Sequence, residues 1–402
     1  MVSREISQAD YLALVVKLLQ QSGAKAIQAQ TDNFAVAFDL GAQARIKLAQ
    51  LYARHKHLAD AEMRRALRKL FAEHQARLTQ ANPQLQQIKA LLRPVIRDKR
   101  YFSLSQLRLR SQGVSDQTSA KFPLRPFAGE FVQALYLDSP DYASLVTQSQ
   151  LDEWQLSFEQ AWLIALDNLR VVSKQGLREV SPGLYCSTWQ DAYDTARCVL
   201  PEILQGVKLM GDPVFAFPTR HHLLVAGADD LSALQAMASY SAELLRHTEP
   251  ALSAQLLRKT GESWQVFQIH GVSGELLRFE QMKLLAGDYE QQKGLLKTLL
   301  QQQGQAISVA AYQTFRSQAG QGLLSMAQVT NSVATLLPEA DKFVFYDTPS
   351  QESLMVDWAY AQQVFGSALQ KQALYPKRYL LQGQASPKQI ALLRHAAEVI
   401  SL

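Results

Sequence analysis

At 402 residues, 47% hydrophobic and 19% charged, the chain is too long for one small core and too apolar for a disordered tail, so two or three domains are expected. No 18-residue apolar run occurs, which excludes a membrane-spanning helix, and two cysteines, Cys186 and Cys198, are too few for a disulfide framework. The net charge of +5 hides a segregation: between Ala44 and Arg110 sixteen Lys or Arg face only Asp60, Glu62, Glu73 and Asp98, so that segment is +12 and the remainder −7.

The first stretch, MVSREISQADYLALVVKLLQQSG, spaces Leu12, Val15, Val16, Leu18 and Leu19 as a helix does, behind Glu5 and Asp10. It lacks the unbroken apolar run of a secretory signal, and a cytoplasmic protein with two buried thiols is expected. Ser7 reads as the N-cap of a helix over 8–21 that stops at Gly23. AKAIQAQ and FAVAFDL alternate in polarity about Thr31, Asp32 and Asn33, predicting a hairpin, and ARIKLA after Gly41 adds a third strand. Two helical stretches follow, AQLYARHKH and DAEMRRALRKLFAEHQARL. In the second, Met63, Leu67, Leu70 and Leu78 mark an apolar face, and Arg64, Arg65, Arg68 and Lys69 a basic one. Residues 1–80 therefore read as a basic helix–β-meander–helix domain. Beyond Asn82 the periodicity fades, and 81–122 reads as a linker or long surface loop.

A central α+β domain is expected over 123–270. FVQALYLDS is a strand closed by a Ser139-Pro140-Asp141 turn, and one long helix spans Leu151 to Val172, with Trp154, Phe158, Trp162 and Ala165 on its core side. Leu184, Tyr185 and Cys186 begin another strand. The stretch from Asp191 to Asp230 reads as a helix, a turn, a buried strand, a tight connection carrying Pro218, Arg220, His221 and His222, and a second strand. Asp229 or Asp230 caps a helix over about 231–247, and AQLLRKT pairs with SWQVFQI about Gly261. Residues 271–402 read as a C-terminal α/β domain with three short strands. The fold class is α+β and multi-domain, with small mixed or antiparallel sheets each packed with helices.

Familiar catalytic signatures are missing from the sequence. There is no phosphate loop, no nucleophile elbow, no His-Glu-x-x-His helix and no Cys-x-x-Cys, and Gly320-Gln321-Gly322 continues as LLS without the third glycine of a dinucleotide fingerprint. No cofactor or metal is expected. Asp191, Asp194 and Arg197 stand at i, i+3 and i+6 by a helix N-terminus, where the acids complement the helix dipole and Asp194 with Arg197 makes a surface pair. In a functional version, Arg197 is an anion contact facing the Pro218–His222 connection. Adjacent residues on a strand point to opposite faces, so His221 and His222 do not share a metal; one is expected exposed at the hairpin and the other hydrogen-bonded in the sheet.

Several blocks taken together resemble the YtpQ-like bacterial family of unknown function. They are Arg93-Pro94-Val95-Ile96-Arg97, the strand from Phe122-Pro123-Leu124 to Asp138, Asn168-Leu169-Arg170, the Asp191-to-Arg197 segment with Tyr193, Asp194 and Ala196, and the hairpin from Phe217-Pro218 to Ala226. The resemblance covers about residues 1–268, leaving a C-terminal extension, and His221 stands where the family pattern carries an acid after Pro218. It implies a soluble bacterial α+β protein and transfers no activity, cofactor or catalytic residue.

Three readings of function follow. The first is a non-enzymatic protein acting through protein partners. The second is a hydrolase or transferase with an anion site built from Asp194, Arg197, Arg220 and His221. The third is nucleic-acid binding through 44–110, with Arg64, Arg65, Arg68 and Lys69 as contacts. Against the third, the basic residues lack interleaved aromatics for base stacking, and no helix-turn-helix, zinc-finger or RNA-recognition signature is present.

Overall fold

In the computed structural model, helix α1 (Gln8–Gln21) starts where the Ser7 hydroxyl accepts the Asp10 N–H and ends at Gly23, whose φ of +81° suits a residue without a side chain. The structure describes residues 5–31, 34–40, 43–79, 85–114, 121–140, 142–174, 176–248, 250–316, 322–331, 333–382 and 384–397. The expected turn residues Asp32, Asn33, Gly41, Asp141 and Gly320, the outer parts of the expected linker and the Leu78 side chain lie outside them. Two units form: Met1–Asp98 with Val114–Phe267, and Lys99–Gly113 with Gln268–Leu402.

After α1 come β1 (Lys25–Gln30), β2 (Ala35–Asp39), β3 (Gln43–Lys47), α2 (Leu48–His55) and α3 (Asp60–Thr79). Tyr11, Val15, Leu18 and Leu19 of α1 share a core with Val36, Phe38 and Ile46 of the meander and Met63, Leu67 and Phe71 of α3. The predicted linker is instead largely built structure: α4 (Leu85–Leu91), β4 (Leu92–Asp98) and α5 (Lys99–Ser111). Next come β5 (Arg125–Pro126), β6 (Phe131–Asp138) and β7 (Tyr142–Leu145). β4 pairs antiparallel with β6 along its whole length, from Leu92↔Leu137 to Asp98↔Phe131. Its two arginines disguise it as polar loop, yet Leu92, Val95 and Ile96 are fully buried and Arg97 is 1% exposed.

β3 pairs with β7, so the meander and β6 belong to one seven-stranded antiparallel sheet, ordered β1-β2-β3-β7-β6-β4 with β5 on β6. The expected domains 1–80 and 123–270 are therefore parts of one unit, joined by sheet pairing that one-dimensional periodicity does not display. The predicted helix over 151–172 is two helices, α6 (Gln148–Glu153) and α7 (Phe158–Val171). Thr147 with Gln150, and Ser157 with Gln160, form capping boxes, and Gln155 takes a φ of +54° between them.

The first unit continues with β8 (Leu177–Ser181), β9 (Leu184–Ser187), β10 (Pro213–Thr219), β11 (His222–Gly227), α8 (Leu231–His247), β12 (Leu256–Thr260) and β13 (Ser263–Phe267). These strands make a six-stranded antiparallel sheet, ordered β13-β12-β10-β11-β9-β8, with α8 against β9, β10 and β11. Asp230, not Asp229, caps α8 by accepting the Ala233 N–H at 3.0 Å. Between β9 and β10 the predicted α-helix is two short 3₁₀ turns, Asp194–Val199 and Pro201–Leu204. Asp194 to Cys198 are all buried, so this segment has no solvent side, and Pro201 opens a new turn.

In the second unit α9 (Val272–Gln302) packs Leu296, Leu299 and Leu300 against Leu104 and Leu107 of α5. It continues through β14 (Ser308–Val309), β15 (Tyr312–Arg316), β16 (Leu323–Thr330), β17 (Thr335–Pro338), β18 (Lys342–Asp347), β19 (Glu352–Asp357), α10 (Trp358–Phe365), β20 (Leu369–Lys371), β21 (Arg378–Leu381) and α11 (Pro387–Ala396). The expected three strands are thus two four-stranded mixed sheets, β14-β17-β21-β20 and β15-β16-β18-β19. Fully buried Arg378 ties the first of them together, donating to Gln292 and to the carbonyls of Ala310, Leu336 and Tyr289. With no carboxylate among those acceptors, burial lowers its pKa to about 10.

Candidate functional site

The hairpin β10–β11 closes on two residues, Arg220 and His221, between the pair Thr219↔His222. The ladder slips by one residue between Ala216 and Thr219, and Pro218, which has no N–H to contribute, lies in the slip. The Thr219 hydroxyl, fully buried, lies 2.7 Å from His222 Nδ1 and accepts the His221 N–H at 3.2 Å. His222 is thereby satisfied. His221 is half-buried rather than exposed at a hairpin tip, and among the described residues neither of its ring nitrogens, both buried, has a hydrogen-bond partner. The Asp191 backbone approaches the ring without reaching hydrogen-bond geometry.

The wall opposite comes from one face of the seven-stranded sheet. Arg45 on β3, Ala143 on β7 and Asp138 on β6 lie in one cross-strand row, and two-residue alternation carries that face to Tyr136 and Val132, the partner of Arg97. Arg97 donates to the carbonyls of Ile96 at 2.9 Å and Ala192 at 2.7 Å and to the Thr195 hydroxyl at 3.3 Å, with its guanidinium 5.9 Å from the Tyr136 ring. It thus joins β4 to the segment carrying Asp191 and Asp194. Lys47 and Asp138 pair at 2.5 Å beside it. Burial, and then the positive charges of Arg45, Arg97 and Arg220, push the His221 pKa down to about 4, so the ring is neutral at physiological pH.

Arg197 does not face this hairpin as an anion contact. It is fully buried, and its guanidinium is used up: Nη1 and Nη2 each donate to Asp191 at 2.6 Å, and Nε donates to the Ser173 hydroxyl at 2.7 Å. The Trp189 ring lies over it, 4.4 Å from centroid to guanidinium. The partner is Asp191, six residues back, and not Asp194 as the spacing predicts. Asp194 is fully buried as well, and burial, with the Asp191 carboxylate adding to it, raises its pKa to about 7 against the opposing Ser187 hydrogen bond. Burial also acts to raise Asp191, but the Arg197 hydrogen bonds and charge outweigh it and hold that carboxyl below its ordinary range.

Of the four predicted contacts, Arg220 and His221 meet at the hairpin, while Arg197 and Asp194 form an internal polar knot behind it. Arg45 and Arg97, which sequence reasoning did not select, join Arg220 as cations that bear on His221. The available signal was Arg97 in a strand of otherwise apolar residues, an arginine pointing inward. On α3, Arg65, Arg68 and Lys69 are exposed and Arg64 pairs with Asp60 at 2.7 Å. Not all of the basic segment is surface, since Arg97 is core in one unit and Arg100, 4% exposed and paired with Asp288, is core in the other.

Both cysteines are free and buried, and burial pushes Cys186 up to about 11 and Cys198 well above its ordinary value, so neither is a ready thiolate. Among the described residues no group of three or more His, Cys, Asp or Glu side chains is placed to hold a metal ion, and no helix is long and apolar enough to cross a membrane. No protein-family model, curated protein or solved structure matches the chain.

Proposed function

We propose that this protein binds an anionic ligand, a phosphate or carboxylate group, at His221, with Arg45, Arg97 and Arg220 supplying the positive potential. The observation that carries the reading is the His221 ring, whose two buried nitrogens have no partner among the described residues. Leaving a buried polar group unsatisfied costs about 1–3 kcal/mol, and such groups in folded proteins call for a bound ion, ligand or water. An anion accepting the ring N–H removes that cost and is favoured by the neighbouring cations. Arg197 and Asp194 act from behind, fixing the Asp191 segment that Arg97 grips.

The kinship with the YtpQ-like family is part of the proposal. Its support is that Arg97, the Asp191–Arg197 segment and the Pro218–His222 connection, from three separate resembling blocks, meet at this one place. A cytosolic setting belongs to it too, supported by the two free cysteines.

The test is a calorimetric titration of inorganic phosphate, and separately of succinate, into the wild-type protein and the Arg220→Ala and His221→Asn variants. Saturable binding of one of these anions, weakened at least tenfold in both variants while thermal stability is kept, is the expected result. If neither anion saturates the wild type, or the variants bind as it does, the reading fails.

A second reading, contact with protein partners, is favoured by apolar side chains left in water, among them Leu163 and Val171 of α7, 62% and 67% exposed.

A further inference from the structure

We propose that His221 holds its anion as an imidazolium: the ring takes up a proton as the anion arrives, donating one N–H to the anion and the other to the main-chain carbonyl of Asp191. The inference rests on the anion-binding reading and narrows its ligand to a fully ionised oxyanion, one that accepts hydrogen bonds and has none to donate.

The ring's own donors and acceptors set the problem. A neutral imidazole has one N–H and one bare nitrogen, whereas the protonated ring has two N–H groups. Both His221 nitrogens are buried and lack a hydrogen-bond partner among the described residues. An anion that only accepts satisfies the N–H of a neutral ring and leaves the bare nitrogen without a donor. Two solutions exist. Either the ligand brings a proton of its own to donate, as hydrogen phosphate does, or the ring becomes a double donor.

The surroundings favour the second. The Asp191 backbone lies beside the ring and acts to favour its protonated form, which is the effect of an accepting carbonyl and not of an N–H. That carbonyl belongs to the peptide group between Asp191 and Ala192, which is held from both ends. Arg197 grips the Asp191 carboxylate through two bonds of 2.6 Å, and Arg97 donates to the Ala192 carbonyl at 2.7 Å. The Asp191 carboxylate also accepts the Tyr193 N–H at 2.9 Å, and Asp194 accepts the Gln190 N–H at 3.3 Å. The polar knot behind the hairpin thus positions the second acceptor.

Charge explains why the proton waits for the anion. The charges that bear on the ring are those of Arg45 on β3, Arg97 on β4 and Arg220 beside it, and a further positive charge there is unfavourable. The other ionisable neighbours do not offset them. Asp138 is paired with Lys47 and bonded to Tyr193, and Asp191 is taken by Arg197. Burial holds Asp194 towards its neutral form and does the same for His222, which is bonded to Thr219. An incoming oxyanion supplies the missing negative charge, so protonation becomes favourable as it binds.

Sulfate is the probe, because it is fully ionised at mildly acidic pH and has no proton to give. The full-length protein is titrated with sulfate by calorimetry at pH 6 in two buffers of different ionisation enthalpy, which counts the protons taken up. At that pH the ligand-free ring, with a pKa of about 4, is neutral, and Asp194, at about 7, is already largely protonated. Expected are close to one proton bound per sulfate and an affinity at least about fivefold weaker at pH 7 than at pH 6. Nitrogen NMR of the sulfate-saturated protein is expected to show both His221 ring nitrogens protonated. Sulfate bound without proton uptake, or on a neutral ring, overturns the inference and leaves the anion site standing. Phosphate binding where sulfate does not bind overturns it likewise, because the ligand's own proton is then required. If neither anion binds, the anion reading falls and this inference with it.

Discussion

At the scale of single residues, two buried groups pull the pH dependence of stability in opposite directions. Asp194 titrates near 7 in the folded protein against an ordinary 3.8, so its contribution is present below about pH 4 and is lost as pH rises through 7. His221 titrates near 4 against an ordinary 6.5, so its contribution is present above 6.5 and is lost as pH falls toward 4. Asp194→Asn keeps the shape of the side chain and removes the first effect. The expected outcome is a variant more stable than wild type at pH 8, with the difference shrinking toward pH 5, measured by thermal melting across that range. A variant that tracks the wild type in parallel at every pH contradicts the assignment. The spacing of Asp191, Asp194 and Arg197 already placed these three on one side of a turn. Which acid holds Arg197, and that Asp194 is inside while Asp191 stays partly exposed, was not legible, because burial depends on β4, far away in sequence.

At the scale of elements, the legible parts were those with local causes. The cap at Ser7, the stop at Gly23, the meander, the β10–β11 hairpin and the β12–β13 hairpin about Gly261 all rest on neighbours in sequence, and the structure forms each of them. The break between α6 and α7 also had a local cause, the Ser157–Gln160 box, but an aromatic stripe at helical spacing led straight across it. β4 failed for a different reason. A strand that buries Arg97 reads as polar in one dimension, and only the carbonyls of Ile96 and Ala192 make that burial tolerable. The Asp194 segment was read as an α-helix because its spacing of three is common to both helix types, and its burial on all sides removes the amphipathic signal that separates them.

At the scale of the whole molecule, the α+β class follows from element types, whereas the division into units does not. A basic segment with a charge of +12 invites the picture of one basic pole, yet its cations are shared between the cores and surfaces of two units. The first unit is assembled across the expected linker, with β6 paired to β4 and β7 paired to β3. A fragment of residues 123–270 therefore lacks two of the strands that cover β6 and β7. Its predicted behaviour is non-cooperative: no sharp thermal transition by circular dichroism and strong binding of a hydrophobic dye. A sharp transition in that fragment restores the separate central domain that the periodicity indicated.

The central claim is that the buried imidazole of His221 waits in a cationic setting for an anion. Titration of its ring resonances by NMR, in the presence and absence of inorganic phosphate, tests this most directly. Expected are a pKa near 4 in phosphate-free solution and a rise on phosphate binding, because the added negative charge favours the protonated ring. A ring that titrates at its ordinary value of 6.5, or one whose pKa phosphate and succinate both leave unmoved, contradicts it.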